Sequence, residues 1–385
     1  MKTILFLTAR YPGYGGIENV TTLLANKLQK QYRIIICSNV QQEEEKLLPQ
    51  LSKEILFCKL PYNGTNHSNE NVKYFDRLIR DESVNVIIYQ DSYFPNEYLL
   101  ENSSKISSIK IIVVEHSSPM GYTINHRCRM SATSWWHLYT KLKWVFEYYR
   151  NIPYEKKRRN TLYRLCDKYV VLATGLIKQC QKIGKIGDNS KFCVIGNPLV
   201  LNSPIVDFST KKKECLFVGR LDSMKGIDRM ARIWSIAEKK CPDWTLVVVG
   251  DGMMMPTLKN MLEELQIKNI RLEGFQTNVT PYYCDAQIFC MCSTYEGFPL
   301  VIPEAMSNGL VPIAFGSFAA WDDITQNGID SVTVSPFNEG EYSEKLIRLM
   351  QNDTNRINMQ TRALENSKRF SIESVVDKWL DIIKD

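Results

Sequence analysis

The stretch Glu296-Gly297-Phe298-Pro299-Leu300-Val301-Ile302-Pro303-Glu304 follows the short apolar run Ile288-Phe289-Cys290-Met291-Cys292. That run has the length of a buried strand. From about Leu300 to Ser307 the chain reads as a short helix. Pro303 sits in its first turn, where a missing N–H costs little, and Asn308-Gly309 closes it. The order is strand, loop carboxylate, turn, helix carboxylate, the unit from which parallel α/β sheets are built. A helix start presents N–H groups and a positive dipole end to an anion. Carboxylates on either side repel a bare phosphate and suit hydroxyls instead. Phosphate flanked by hydroxyl-rich groups is the chemistry of a nucleotide sugar. The alternative is a surface loop with two incidental glutamates.

A second segment, Glu214-Cys215-Leu216-Phe217-Val218-Gly219-Arg220-Leu221-Asp222-Ser223-Met224-Lys225-Gly226, runs strand, glycine turn, then two cations. Glycine at 219 lets the backbone approach a ligand closely. Arg220 offers a planar fork for phosphate oxygens, and Lys225 a mobile point charge. Each such charge-assisted hydrogen bond is worth roughly 1.5–3 kcal/mol. Asp222 is the one acid close by, so the charge of Arg220 and Lys225 is expected to stand free for a ligand. Solvated surface cations are the ordinary alternative. The coincidence of strand end, glycine and paired cations weighs against it.

With the Gly15-Gly16 turn after the first strand and His116 after another apolar strand, these segments resemble a retaining glycosyltransferase of family four, with the GT-B architecture. The order and separation of the elements match over nearly the whole chain. Bacterial enzymes that build capsular, O-antigen or exopolysaccharide repeat units are closest in character. The resemblance implies an α/β protein of two Rossmann-like, doubly wound parallel-sheet domains facing across a cleft. It implies that Glu304 holds ribose hydroxyls and Glu296 the donor sugar, with His116 beside that sugar. Arg220 and Lys225 then neutralise the leaving diphosphate, which the Gly15-Gly16 backbone reaches from the first domain. Gly297, Phe298, Pro299, Leu300 and Val301 complete the donor-binding loop. Many relatives have glycine where Pro299 stands, so one sugar contact is expected to differ.

The implied activity moves a hexose or N-acetylhexosamine, with retention, from a nucleotide diphosphate sugar to a sugar acceptor. A UDP-sugar is favoured over GDP-mannose. The acceptor is an oligosaccharide or a polyprenyl-diphosphate-linked sugar in surface polysaccharide synthesis. No cofactor and no metal are implied. The chain has no D-x-D pair, and Asp322-Asp323 is an adjacent pair better suited to a loop or helix start. An epimerase of the same fold, acting on a nucleotide sugar without an acceptor, is one alternative. A non-catalytic sugar-nucleotide-binding subunit is another, although it should lose Glu296 or Lys225.

Length and composition agree. A chain of 385 residues suits two cores. Apolar content of 44% and charged content of 23% are ordinary for a globular protein. No stretch is apolar enough to span a membrane, and the opening apolar run meets Arg10 too soon to be a leader. Eleven cysteines at irregular spacing point to reduced thiols in a cytoplasmic protein. Gly13 and Gly15 lack the third glycine of a dinucleotide fingerprint, Glu18 standing in its place, and no Walker lysine follows.

Apolar runs at Ile4–Thr8, Ile34–Cys37, Val86–Tyr89, Ile111–Glu115, Tyr169–Ala173 and Phe192–Ile195 predict strands in a first domain, 1–198. Those at Cys215–Val218, Leu246–Gly250, Ile270–Leu272, Ile288–Cys292 and Val311–Phe315 predict a second, 214–366. Residues 199–213 read as the linker. The segment 367–385 reads as a final helix, with Ile372, Val375, Val376, Trp379, Leu380 and Ile383 in one stripe. By the resemblance it crosses back onto the first domain.

One further region carries a charge signal. The window from Arg127 to Lys168 has a net charge of +8, against +6 for the whole chain. Aromatic residues including Trp135, Trp136, Trp144, Phe146 and Tyr149 are interleaved with the cations, and Leu138, Leu142, Val145 and Tyr149 have helical spacing. This pattern suits an anionic membrane surface, with Lys156-Lys157-Arg158-Arg159 as its densest cations. No nucleic-acid motif accompanies it. The expectation is a cytoplasmic protein, peripheral at the inner face of the cell membrane. A solvated basic face over an aromatic core is the alternative.

Overall fold

The computed structural model describes residues 1–13, 15–40, 51–64, 67–90, 96–106, 108–121, 138–200 and 206–384. The chain divides into two compact units: Met1–Val200 with Ile372–Asp385, and Leu201–Ser371.

The first unit holds strands β1 (Thr3–Arg10), β2 (Arg33–Val40), β3 (Leu56–Lys59), β4 (Val84–Tyr89), β5 (Lys110–Glu115), β6 (Lys168–Val171) and β7 (Phe192–Val194). They form a seven-stranded parallel sheet in the order β3-β2-β1-β4-β5-β6-β7. Leu5 of β1 pairs with Ile35 on one side and Ile87 on the other, and all three are buried. Helices cover both faces of such a sheet, so its central strands read as continuous apolar runs. Strand β3 is the exception. Its four residues, Leu56 to Lys59, are all at least partly exposed, and the short apolar run Ile55-Leu56-Phe57-Cys58 is not among the strands predicted from the sequence.

The helix Gly16–Leu28 follows β1 and packs against the final helix, Ile372–Lys384. The final helix buries Val375, Val376, Trp379, Ile382 and Ile383. Burying a large apolar side chain is worth roughly 1.5–3 kcal/mol. This stripe therefore outweighs the exposed Lys27–Glu373 ion pair at 2.5 Å beside it.

The helix Leu138–Leu165 corrects the reading of the basic window. Arg158 and Arg159 are each only 3% exposed. The Arg158 guanidinium donates to the Tyr89 hydroxyl at 3.1 Å and lies 3.5 Å from Glu97. Arg159 pairs with Glu115 at 3.1 Å and with Glu155 at 2.6 Å. A buried guanidinium is tolerable only when paired in this way. The four-cation run is thus half interior, and its arginines tie the helix to the sheet. Beside exposed Arg150, Lys157 and Arg164, the helix exposes the apolar side chains Leu142, Val145, Phe146, Tyr149 and Tyr154. Arg127, Arg129, Trp135, Trp136, His126 and His137 lie outside the described residues.

The second unit holds β8 (Glu214–Val218), β9 (Thr245–Val249), β10 (Ile270–Gly274), β11 (Ile288–Met291), β12 (Val311–Phe315) and β13 (Val332–Val334). They form a parallel six-stranded sheet in the order β10-β9-β8-β11-β12-β13. Its core gathers Trp234, Trp244, Ile288, Ile313, Phe315 and Tyr342. The Tyr342 hydroxyl satisfies itself on the Ile313 carbonyl at 2.8 Å. Residues 206–213 pack on this unit. Lys211 is buried, and its ammonium donates to the carbonyls of Tyr283, Cys284 and Ala286 at 3.1, 3.0 and 2.8 Å. Burial pushes that lysine down to about 8.

Strand order reverses between β1 and β4 in the first sheet and between β8 and β11 in the second. Ligands of open α/β sheets bind beyond the carboxyl ends of strands at such a reversal.

Candidate functional site

In the second unit both sequence segments arrive at the reversal. The loop after β8 carries Gly219, Arg220 and Lys225, and the loop after β11 carries Glu296. Backbone contacts draw the two loops together. Gly226 adopts φ +70°, and a Cβ there would lie 2.3 Å from the Cys292 carbonyl, so glycine permits the close approach. The Thr294 N–H donates to the Met224 carbonyl at 2.8 Å. Arg229 donates to the Cys292 carbonyl at 2.8 Å and to the Thr294 hydroxyl at 2.9 Å. The outcome is a Lys225 ammonium 2.6 Å from Glu296 Oε1.

This corrects the expectation of free cations. Lys225 is paired with Glu296, and Arg220 is paired with Asp222 at 2.7 Å. Asp222 also accepts the backbone N–H groups of Met224 and Lys225 through its other oxygen, at 3.0 Å each. It therefore shapes the loop as well as neutralising a charge. The two pairs differ in exposure. The Arg220 side chain is 70% exposed, whereas Lys225 and Glu296 are 21% and 11% exposed. Arg220 is held by a carboxylate from one side, with its outer edge in solvent. Arg229 was invisible as a site residue because its partners, the Cys292 carbonyl and the Thr294 hydroxyl, are brought close only by folding.

Glu304 lies on the helix Val301–Ser307 that starts beyond Pro299. Its Oε2 accepts a hydrogen bond from the Tyr283 hydroxyl at 3.0 Å. Burial holds the Glu304 carboxyl above its ordinary range, and the Tyr283 bond only partly offsets this. Phe298 is buried against Phe370 with ring centroids 5.8 Å apart, so it anchors the loop. Of the first-turn amides, those of Ile302 and Glu304 are spent on the Pro299 and Leu300 carbonyls, and Pro303 has none. Leu300 and Val301 supply the remaining donors among the described residues of this helix start.

In the first unit, Gly15 caps the helix Gly16–Leu28 without a side-chain bond. Its φ of −81° is ordinary. A Cβ there would meet only the tip of the Glu18 side chain, which is free to move aside, so neither space nor backbone conformation demands glycine at 15. His116 follows β5, and its Nε2 lies 2.9 Å from Gln90 Oε1, which follows β4. Burial pushes His116 down to about 4, against the opposing charge of Glu115, so the ring is neutral near pH 7. Glu115 is itself engaged by Arg159, the Tyr169 hydroxyl at 3.1 Å and the Ser117 hydroxyl at 3.0 Å. Burial alone would raise that carboxyl, but the Arg159 and Arg158 charges hold it below the usual range.

Among the described residues, no three His, Cys, Asp or Glu side chains are grouped to hold a metal ion. Every described cysteine is a free thiol. No helix of the described residues is long and apolar enough to cross a membrane.

Residues 201–370 match the family model described as glycosyl transferases group 1. An uncharacterized glycosyltransferase of Haemophilus influenzae is 26% identical over all of both chains. A Campylobacter jejuni enzyme is 25% identical over 58% of this chain and 62% of its own length. It is named GalNAc-alpha-(1->4)-GalNAc-alpha-(1->3)-diNAcBac-PP-undecaprenol alpha-1,4-N-acetyl-D-galactosaminyltransferase. The crystal structure of Anabaena HepE in complex with UDP and glucose superposes with a TM-score of 0.75, covering 100% of both chains at 14% identity. With two parallel α/β sheets and this structural likeness the chain has the GT-B fold, and the unit that carries Arg220, Lys225, Glu296 and Glu304 is similar to the group 1 glycosyl transferases.

Proposed function

We propose that this chain transfers a hexose or N-acetylhexosamine, with retention, from a UDP-sugar to a sugar acceptor, lipid-linked, in surface polysaccharide synthesis. The observation that carries the reading is the Lys225–Glu296 pair, 2.6 Å apart where the second sheet reverses its strand order. A cation for phosphate and a carboxylate for hydroxyls are there held as one unit. Glu304, with one oxygen on Tyr283, offers the other to a ribose diol.

In this reading the bond from the sugar C1 to the diphosphate oxygen breaks. The acceptor oxygen bonds C1 on the same face, and its proton leaves with the diphosphate. Arg220 and Lys225 stabilise the charge that develops there, the term that dominates where no protein nucleophile is used. Two charges from side chains do this work, so the reaction needs no metal. Glu296 orients the Lys225 ammonium and takes a donor-sugar hydroxyl. In the first unit, His116 is assigned a substrate hydroxyl and the Gly15-Gly16 backbone a substrate oxygen.

Lipid-linked acceptors place the enzyme at an anionic membrane surface. Leu142, Phe146 and Tyr149, exposed and four or three residues apart on one helix, are the apolar contact, with Lys157 and Arg150 as flanking cations. A relative named for an undecaprenol-linked acceptor and a structural neighbour in complex with UDP and glucose support the choice of donor and acceptor. A thermal-shift panel of UDP- and GDP-sugars, followed by transfer assays on the stabilising donor, tests the reading. Stabilisation by no nucleotide sugar would overturn it.

A further inference from the structure

Gln90 is fully buried at the end of β4. Its backbone N–H donates to the Leu7 carbonyl of β1 at 2.8 Å, which pins the residue at the point where the first sheet reverses. Its side-chain Oε1 meets His116 Nε2 at 2.9 Å, and its Nε2 has no hydrogen-bond partner among the described residues. A buried amide donor left unmet costs on the order of 1–3 kcal/mol, so such a group calls for a reason. A neutral imidazole has one N–H and one acceptor nitrogen. An amide oxygen only accepts, so the ring proton belongs on Nε2, and Nδ1 is the acceptor. The neighbouring Glu115 is occupied by Arg159, Tyr169 and Ser117 and does not compete for the ring proton.

We propose that Gln90 is a positioning residue: it locks His116 in the Nε2–H tautomer, so that Nδ1 accepts from a substrate hydroxyl. The nature of the substrate rests on the glycosyltransferase reading; the tautomer does not. The same ring in the other tautomer would present a donor where an acceptor is needed. Gln90 thereby decides whether His116 accepts from or donates to the hydroxyl it meets.

The test is a two-bond proton–nitrogen correlation spectrum of protein labelled with nitrogen-15 at histidine, at pH 7.5 and without substrate. The His116 signals are assigned by their loss in His116→Ala. Wild type should show the Nε2–H tautomer, Gln90→Met a mixture of both, and Gln90→Glu, whose carboxylate also accepts, the Nε2–H form again. An Nδ1–H tautomer in wild type, or an unchanged Nε2–H form in Gln90→Met, would overturn the proposal. Wild type alone decides the first point, whether or not the variants fold. With the donor sugar found by thermal shift, Gln90→Met should lower kcat/KM roughly five- to tenfold, the scale of a lost neutral hydrogen bond. It should have little further effect in a His116→Ala background, because the two residues act as one. Fully additive losses would show that Gln90 does not act through His116. Absence of any nucleotide-sugar turnover in wild type would count against the glycosyltransferase reading alone, since the tautomer is read without substrate.

Discussion

The Tyr283 hydroxyl donates to Glu304 Oε2 across 3.0 Å, and burial holds that carboxyl above its ordinary range. A carboxyl whose folded pKa is raised adds stability below its unfolded pKa and loses it as pH rises through the folded value. At neutral pH the ionised Glu304 is therefore a cost to the fold, retained for what it binds. Glu304→Gln should leave Tm unchanged or higher at pH 7.5, with the difference fading toward pH 4. The same change should weaken nucleotide-sugar binding roughly tenfold or more, the scale of a lost charged hydrogen bond. Calorimetry and isothermal titration check both halves. A large loss of Tm with unchanged binding would assign Glu304 to the fold.

Lys225→Ala should cut transfer at least ~100-fold, the scale of removing one charge donor from a transition state. The ammonium is mostly buried against Glu296, so the variant also leaves a carboxylate unpaired. A modest fall in Tm should accompany the loss, and Lys225→Ala with Glu296→Gln should recover the Tm but not the activity. Near-normal turnover in folded Lys225→Ala would remove this pair from the mechanism.

Transfer should continue in excess EDTA, because Arg220 and Lys225 are assigned the charge that a metal would otherwise carry. A strict requirement for Mn2+ or Mg2+, restored on adding it back, would contradict that assignment.

Arg159→Met should destabilise the protein by about 3–5 kcal/mol, the cost of leaving a buried carboxylate without its partner. Lys157→Gln, at an exposed position two residues earlier, should change stability by less than about 0.5 kcal/mol. The Glu115 carboxyl is held below the usual range. Its share of stability is present above the unfolded pKa and should disappear as pH falls through the folded value. Urea unfolding from pH 7 down to pH 3 measures this, and the acid dependence should flatten in Arg159→Met.

Vesicle binding should depend on the apolar stripe more than on the basic run. Leu142→Ser with Phe146→Ser and Tyr149→Ser should abolish cosedimentation with phosphatidylglycerol vesicles, and Lys156→Gln with Lys157→Gln should only weaken it. Unchanged binding by the triple variant would assign the stripe to another partner.

The β-α alternation, the parallel sheets and the two loop segments were legible in the sequence for a physical reason. Strands buried on both faces must be apolar throughout, as in Ile34–Cys37 and Ile288–Cys292, and a backbone that approaches its neighbour closely must carry glycine, as at Gly226. Strand β3 escaped because the apolar run Ile55-Leu56-Phe57-Cys58 is only four residues long, as a short, half-exposed edge allows. The fate of individual charges was not legible. Lys156-Lys157-Arg158-Arg159 is a uniform basic run on paper, yet a helix turns successive residues by about 100°. Packing against β4 and β5 sends Arg158 and Arg159 inward to Tyr89, Glu97 and Glu115. Likewise Lys225 and Glu296 stand 71 positions apart, and Gln90 and His116 stand 26 apart. Local pattern sets which residues are apolar, small or charged. Which charge meets which is set by strand order, because only the reversal of each sheet brings the ends of two distant strands side by side.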